Sequence, residues 1–205
     1  MRALFLKRPF DIVLSFFGIL ISIPLWIIIS LLIWLEDRGP IFYQQERVGK
    51  DGKVFNALKF RSMIKDAEKE EGPVQATEND PRVTRIGQIL RGTAMDELPQ
   101  LLNIFKGDMS FVGPRALRPE EKEVSDNNEA RLLSQIPGYM ERHLIKPGLT
   151  GVAQIYLPTD APRERKFRYD LFYIRKRNFC WDLKLVFLSF WITFRAKWET
   201  RQKKL

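Results

Sequence analysis

Apolar and polar residues interleave along most of the chain, but no position from 12 to 35 carries a charge. A straight helix over that stretch reaches about 36 Å against a bilayer hydrocarbon core of roughly 30 Å, which predicts a membrane helix. The residues that follow, Glu36-Asp37-Arg38-Gly39-Pro40, form no small-residue cleavage site, so the segment reads as retained rather than as a signal peptide. Pro24 divides the stretch into halves of about 17 Å each, roughly half a bilayer. Ser22 is placed to satisfy the carbonyl that the proline frees. Arg2, Lys7 and Arg8 precede the stretch and a basic remainder follows it, so positive charge holds both ends toward the cytosol. Two readings stay open: a kinked span, which is the simpler, and a helix broken at Pro24 that enters and returns on one face.

Past residue 40 the patterns shorten. Ile41-Phe42-Tyr43, the turn Gly49-Lys50-Asp51-Gly52 and Val54-Phe55-Asn56-Ala57-Leu58 predict a β-hairpin, because Asp-Gly supplies the positive φ of a tight connection. Residues 66–80 are charged and carry Gly72-Pro73 and Asn79-Asp80-Pro81, which predicts an exposed loop after a short helix; residues 82–90 predict another short helix. Pro99 is tolerated only in a first helical turn, so a helix is expected to begin near Asp96, with Leu98, Leu101, Leu102 and Phe105 as its apolar stripe and Lys106-Gly107 as its end. A start at Thr93 would bury Pro99 too deep. Asp96 and Glu97 then sit at a helix N-terminus, where free N–H groups favour negative charge, and Asp96 should stay ionised as a nucleophile or metal ligand must. Taken alone, the pair equally reads as a helix cap. Residues 185–194 are apolar except for Ser189 and Thr193 and have tryptophans around them; they read either as a helix in the membrane interface or as a buried core helix. The tail over 195–204 is basic and would favour anionic lipid.

Composition changes the picture in two places. The formal charge of +9 implies an anionic partner, whether nucleic acid, lipid headgroup or phosphorylated small molecule. Cys180 and His143 are the only residues of their types, which excludes a disulfide framework and a Cys/His zinc cluster. Lys59, Arg61, Arg82, Arg85 and Arg91 precede the Asp96-Glu97 pair and Arg115 follows it, a collar that a diphosphate would need. The two proline-glycine segments, Phe111-Val112-Gly113-Pro114-Arg115 and Lys146-Pro147-Gly148-Leu149-Thr150-Gly151, read as anion-binding nests or as plain loops.

These pieces occur together and in order. Phe42-Tyr43-Gln44-Gln45-Glu46-Arg47-Val48-Gly49, Lys59-Phe60-Arg61-Ser62-Met63, Asp80-Pro81-Arg82-Val83-Thr84-Arg85-Ile86-Gly87, Met95-Asp96-Glu97-Leu98-Pro99-Gln100, Gly107-Asp108-Met109-Ser110-Phe111-Val112-Gly113-Pro114-Arg115 and Lys146-Pro147-Gly148-Leu149-Thr150-Gly151-Val152-Ala153-Gln154 follow the apolar segment. With them the chain resembles the bacterial sugar transferase family, the monotopic phosphoglycosyl transferases, over nearly its whole length. It departs from the family pattern at Val152, where tryptophan is usual, and at Ile23, which separates Ser22 from Pro24.

The resemblance implies an α+β, predominantly helical, monotopic membrane protein with a proline-broken re-entrant N-terminal helix, a small β-hairpin and interfacial amphipathic helices. Its parts would be a re-entrant helix over 1–40, a cytosol-facing catalytic domain over 41–178, and an interfacial helix with basic tail over 179–205, all one structural unit. It implies transfer of a sugar-1-phosphate from a UDP-sugar to polyprenyl (undecaprenyl) phosphate with release of UMP, at the cytoplasmic face of the bacterial inner membrane, as the first membrane step of glycan assembly. Asp96 would form the covalent phosphosugar intermediate and Glu97 would assist, either as a ligand of Mg2+ or by handling the acceptor's proton; Asp96 and Glu97 are the candidate Mg2+ ligands. Lys59, Arg91 and Arg115 would contact phosphate, and Arg61, Arg82, Pro114, Lys146, Thr150 and Asp170 are the further substrate-site residues. Homodimerisation is left open. A membrane-anchored scaffold docking by its basic face is the rival reading; a nucleic-acid binder is disfavoured because no nucleic-acid motif accompanies the charge.

Overall fold

The computed structural model describes residues 5–65, 67, 80–124, 130–195 and 198. In chain order they form α1 (Lys7–Asp37), β1 (Phe42–Val48), β2 (Val54–Phe60), α2 (Arg85–Thr93), α3 (Gln100–Lys106), β3 (Ser110–Val112), β4 (Lys122–Val124), β5 (Ala130–Leu132), α4 (Tyr139–Arg142), β6 (Gly148–Thr150), α5 (Val152–Tyr156), α6 (Arg163–Lys176) and α7 (Phe179–Phe194). The strands pair two by two, β1 with β2 and β4 with β5 antiparallel, β3 with β6 parallel, giving an α+β fold in which helix predominates. The loop expected over 66–80 and the basic tail over 195–204 lie almost wholly outside the described residues.

The hairpin forms as its turn chemistry dictates. Asp51 and Gly52 take positive φ values of 56° and 76°, and Phe42 pairs with Phe60 at the open end, their rings stacked with centroids 5.3 Å apart.

The apolar segment departs from the expected break. α1 is helical without interruption from Lys7 to Asp37, with Pro24 inside it. The Ser22 hydroxyl donates to the Gly18 carbonyl at 2.6 Å, not to the carbonyl of Leu20 that the proline frees. Packing holds the helix through the lost bond. Phe10, Leu14 and Ile19 join the main core around Ile104, Val112 and Leu185; farther on, Ile29 and Ile33 are buried with Phe60 and Leu90, and Trp26 meets Phe60 edge-on at 5.6 Å. Both ends of α1 are gripped by the body. Lys7 Nζ lies 2.6 Å from Asp182, and Arg8 donates to the carbonyls of Ile104 and Phe105 at 2.7 and 2.8 Å, closing the end of α3. At the other end Glu36 accepts from the Arg85 N–H at 2.8 Å, capping α2, and Asp37 pairs with Arg61. The opposite face of α1 leaves Val13, Ile27 and Leu31 exposed. It is long and apolar enough to cross a membrane.

α7 has one buried and one exposed apolar face. Leu185, Val186 and Ile192 are buried in the main core, while Phe187, Phe190, Trp191 and Phe194 are exposed. The expected stripe on α3 is rotated: the buried positions are Gln100, Leu101, Asn103 and Ile104, and Phe105 is exposed. Asn103 can face inward because its amide bonds the β2 backbone, accepting from the Leu58 N–H at 3.0 Å and donating to the Asn56 carbonyl at 2.8 Å. α3 ends as expected at Gly107, with φ of 104°.

The two proline-glycine segments turn out to be neighbours. Ser110 pairs with Gly148 and Val112 with Thr150 in a parallel seam, and the N–H groups of Gly113 and Gly148 are consumed by the carbonyls of Thr150 and Pro114, each at 2.9 Å. Those donors therefore form no anion-binding nest. The seam is so close that a Cβ at Gly148 would overlap the Gly113 backbone nitrogen. Gly148→Ala should therefore cost at least ~3 kcal/mol of stability, read as a drop in urea midpoint, because neither backbone can yield.

Candidate active site

α2 ends at Ala94, a non-glycine residue with φ of 56° whose N–H returns to the Arg91 carbonyl at 3.2 Å. This left-handed reversal throws the chain into a single 3-10 turn, Met95–Glu97, before Pro99 starts α3. Asp96 and Glu97 thus stand one turn ahead of the α-helix rather than in its first turn, as the pattern had implied. Both are buried, yet they line an open cavity of about 1500 Å³ bounded by the hairpin, α1, α6 and α7.

The two acids have different partners. Lys59, from β2, donates to Glu97 Oε1 at 2.6 Å, and Arg115, just beyond β3, donates to the same oxygen at 2.9 Å. Lys59 stands 3.8 Å from Asp96, whose carboxylate accepts no hydrogen bond among the described residues. Burial opposes the charge on both acids. For Glu97, Arg115 and Lys59 outweigh it and hold the carboxyl well below the ordinary range. For Asp96, burial and the neighbouring Glu97 charge prevail over Lys59, pushing the carboxyl up to about 6. At neutral pH Asp96 is still mostly ionised, and it is the more basic and less encumbered of the two.

The sequence profile of the bacterial sugar transferases matches residues 2–196. The chain belongs to that family. Among its relatives, the UDP-glucose:undecaprenyl-phosphate glucose-1-phosphate transferase of Escherichia coli K12 is 44% identical over 189 residues, covering 90% of this chain and 39% of the relative. The exopolysaccharide production protein PSS of Rhizobium leguminosarum is 40% identical over 190 residues, covering 90% of this chain and 92% of its own length. The UDP-N-acetylgalactosamine-undecaprenyl-phosphate N-acetylgalactosaminephosphotransferase of Aeromonas hydrophila is 39% identical over 186 residues, 89% of this chain and 42% of the relative. The chain thus spans about two fifths of the E. coli and Aeromonas proteins and nearly all of the Rhizobium one.

Within this family member the expected site residues separate into three groups. Lys59, Arg61, Arg91, Arg115, Thr150 and Asp170 line the same cavity as Asp96 and Glu97. Pro114 and Arg82 lie off it: the Pro114 carbonyl accepts from Gly148, and Arg82 grips Asp80 through Nε at 2.9 Å and Nη2 at 2.7 Å. Lys146 sits beside Arg8 against Gly107, at the far end of α3, where burial and the Arg8 charge lower its pKa.

Asp170 works through another residue. It accepts from Arg142 Nε at 3.1 Å and Nη2 at 3.0 Å, and the same Nη2 donates to the Arg115 carbonyl at 2.7 Å. The Arg142 guanidinium also lies 4.7 Å over the Phe167 ring. Asp170 therefore steadies the main chain that presents Arg115. Sequence reasoning missed Arg142; its trace was Asp170 itself, an acid between Phe167 and Tyr173 on the buried face of α6, which needs a buried cation. Asp170→Asn should destabilise the fold by ~3–5 kcal/mol in urea denaturation, since it strands the Arg142 charge. Arg47, Arg118 and Arg163, also unforeseen, line the cavity with Glu121 and make one end of it strongly basic. Burial and the nearby Arg115 charge depress the pKa of Arg47 to about 10.

Proposed function

We propose that this chain transfers a sugar-1-phosphate from a UDP-sugar to polyprenyl phosphate, releasing UMP, through a phosphosugar carried on Asp96. The observation that carries the reading is the asymmetry of the acidic pair: Glu97 is clamped by Lys59 and Arg115, and Asp96 is left open to the cavity. In the first step an Asp96 oxygen bonds to the sugar-bearing phosphorus and the P–O bond to UMP breaks, UMP leaving with the electron pair. In the second, a phosphate oxygen of the acceptor bonds to that phosphorus and the aspartyl P–O bond breaks, restoring the carboxylate. Lys59 and Arg115 are placed to neutralise charge on the transferring group, and the basic end at Arg47, Arg118 and Arg163 suits the nucleotide's remaining phosphate. The names of the E. coli and Aeromonas relatives, both transferases acting on undecaprenyl phosphate, support the reading.

Magnesium fits these residues as a shared ion. No group of three His, Cys, Asp or Glu side chains converges among the described residues, and Mg2+ offered one or two carboxylates completes its shell with substrate phosphates and water. Asp96 and Glu97 would hold it, and when bound it supplies charge neutralisation at the diphosphate.

α1 is read as lying in the cytoplasmic leaflet of the inner membrane without crossing it. Lys7 and Arg8 at its start and Glu36 and Asp37 at its end all bond to the same body, whereas a crossing helix would put its ends on opposite sides. The exposed apolar faces of α1 and α7 then form the monotopic contact with lipid.

The test is UMP release across a panel of UDP-sugars with polyprenyl phosphate, with mass spectrometry of enzyme quenched on its preferred donor. A phosphosugar adduct on the peptide bearing Asp96 is expected. No UMP from any donor, or turnover without an adduct, would overturn the reading.

A further inference from the structure

Arg61 follows β2, and its N–H continues the hairpin ladder to the Ile41 carbonyl at 2.9 Å. By strand alternation it shares a face with Lys59 and stands roughly 7 Å farther along. It lines the cavity and is only 7% exposed. One edge of its guanidinium pairs with Asp37 at the end of α1, while Nε and Nη1 are buried with no partner among the described residues. A buried guanidinium with half its donors unmet is costly unless an anion completes it. Space has been kept for that group, since any Cβ at Gly39 would overlap Nη1.

What anion it awaits follows from the cavity's two ends. The nucleotide end is served by Arg47, Arg118 and Arg163, away from α1. Arg61 lies at the opposite end, against the C-terminal end of α1, and from there the cavity wall runs back along α1 through Leu25, Gly18 and Leu14. A ligand there must be apolar along its body and anionic at its head. We infer that Arg61 receives the phosphate of the lipid acceptor, a long-chain isoprenoid phosphate monoester whose chain lies against α1 and whose head is held beside Lys59, facing Asp96. The inference rests on the transfer reaction proposed above and assigns Arg61 to the second substrate rather than to the donor. The same chemistry is offered by the phosphate headgroup of a bulk anionic phospholipid.

The experiment is steady-state kinetics in phosphatidylcholine vesicles containing polyprenyl phosphate, with and without phosphatidic acid, for wild type, Arg61→Gln, Arg61→Lys and Gly39→Ala. Loss of one or two charge-assisted hydrogen bonds should raise the acceptor KM of Arg61→Gln about tenfold or more, with the UDP-sugar KM within about twofold of wild type. Arg61→Lys should recover part of the loss. Gly39→Ala, which displaces the guanidinium while retaining it, should show the same acceptor-specific defect and decides the matter if Arg61→Gln does not fold. A rise in donor KM instead, or unchanged kinetics in Arg61→Gln or Gly39→Ala, overturns the inference. So does a defect confined to vesicles containing phosphatidic acid, which would assign Arg61 to bulk lipid. A wild type that turns over no UDP-sugar sinks the reaction itself; an active wild type with those variant results sinks only the role of Arg61.

Discussion

Asp96→Asn should lower turnover by roughly 10³- to 10⁴-fold and, at neutral pH, leave the folded protein more stable than wild type. The loss follows from removing the carboxylate of the acidic pair that Lys59 and Arg115 leave unclamped. The gain follows from its titration. Burial raises the folded carboxyl from its ordinary 3.8 to about 6, so the folded state binds a proton more tightly than the unfolded chain. The stabilising effect of that proton is fully present below the unfolded value and is lost as pH rises through about 6. Above it the fold carries an unfavourable buried charge, which asparagine removes, for a gain on the order of 1–3 kcal/mol. Urea denaturation of the two proteins at pH 7.5 and at pH 4 measures this: the difference should be clear at the higher pH and nearly vanish at the lower. Because Asp96 must be ionised to attack, wild-type kcat/KM should fall on the acid side with a midpoint near pH 6. An acid limb near 4 would mean the carboxylate is not desolvated in the working enzyme.

Glu97→Gln, one residue along, should act in the opposite sense on stability. Its carboxyl is held below the ordinary range by Arg115 and Lys59 against the opposition of burial, so it stabilises the fold above the ordinary glutamate range and ceases to do so on acidification. Replacing it leaves the largely buried Lys59 and the half-exposed Arg115 without their shared anion, at a cost of about 1–3 kcal/mol. Lys59 and Arg115 would then drift from the positions that meet the transferring phosphate, and kcat should drop by roughly 10²- to 10³-fold. Measured side by side, the two variants should both lose activity while their melting temperatures move apart. If Glu97→Gln stabilised and Asp96→Asn destabilised the protein, the roles of the two acids would have to be exchanged.

What the sequence determined by itself is what depends on near neighbours along the chain. The length of the apolar helix, the Asp51-Gly52 reversal, the stop at Gly107 and the place of Asp96 and Glu97 just ahead of Pro99 all follow from turn chemistry and proline sterics acting over a few residues. The motif order was enough to recognise the family. The sequence misjudged what depends on which surface an element meets. Periodicity defines a stripe on α3 but not its facing, and the β2 backbone drew Asn103 inward at the expense of Phe105. Pro24 weakens a helix in isolation, but packing on Phe60, Leu90 and the main core kept α1 continuous. The parallel pairing of Ser110 and Val112 with Gly148 and Thr150, the buried Asp170–Arg142 link and the convergence of Lys59 and Arg115 on Glu97 join segments far apart in the chain. Those long-range contacts set burial and charge partners, and through them decide why two adjacent carboxylates of like chemistry end with opposite pKa displacements and different work to do.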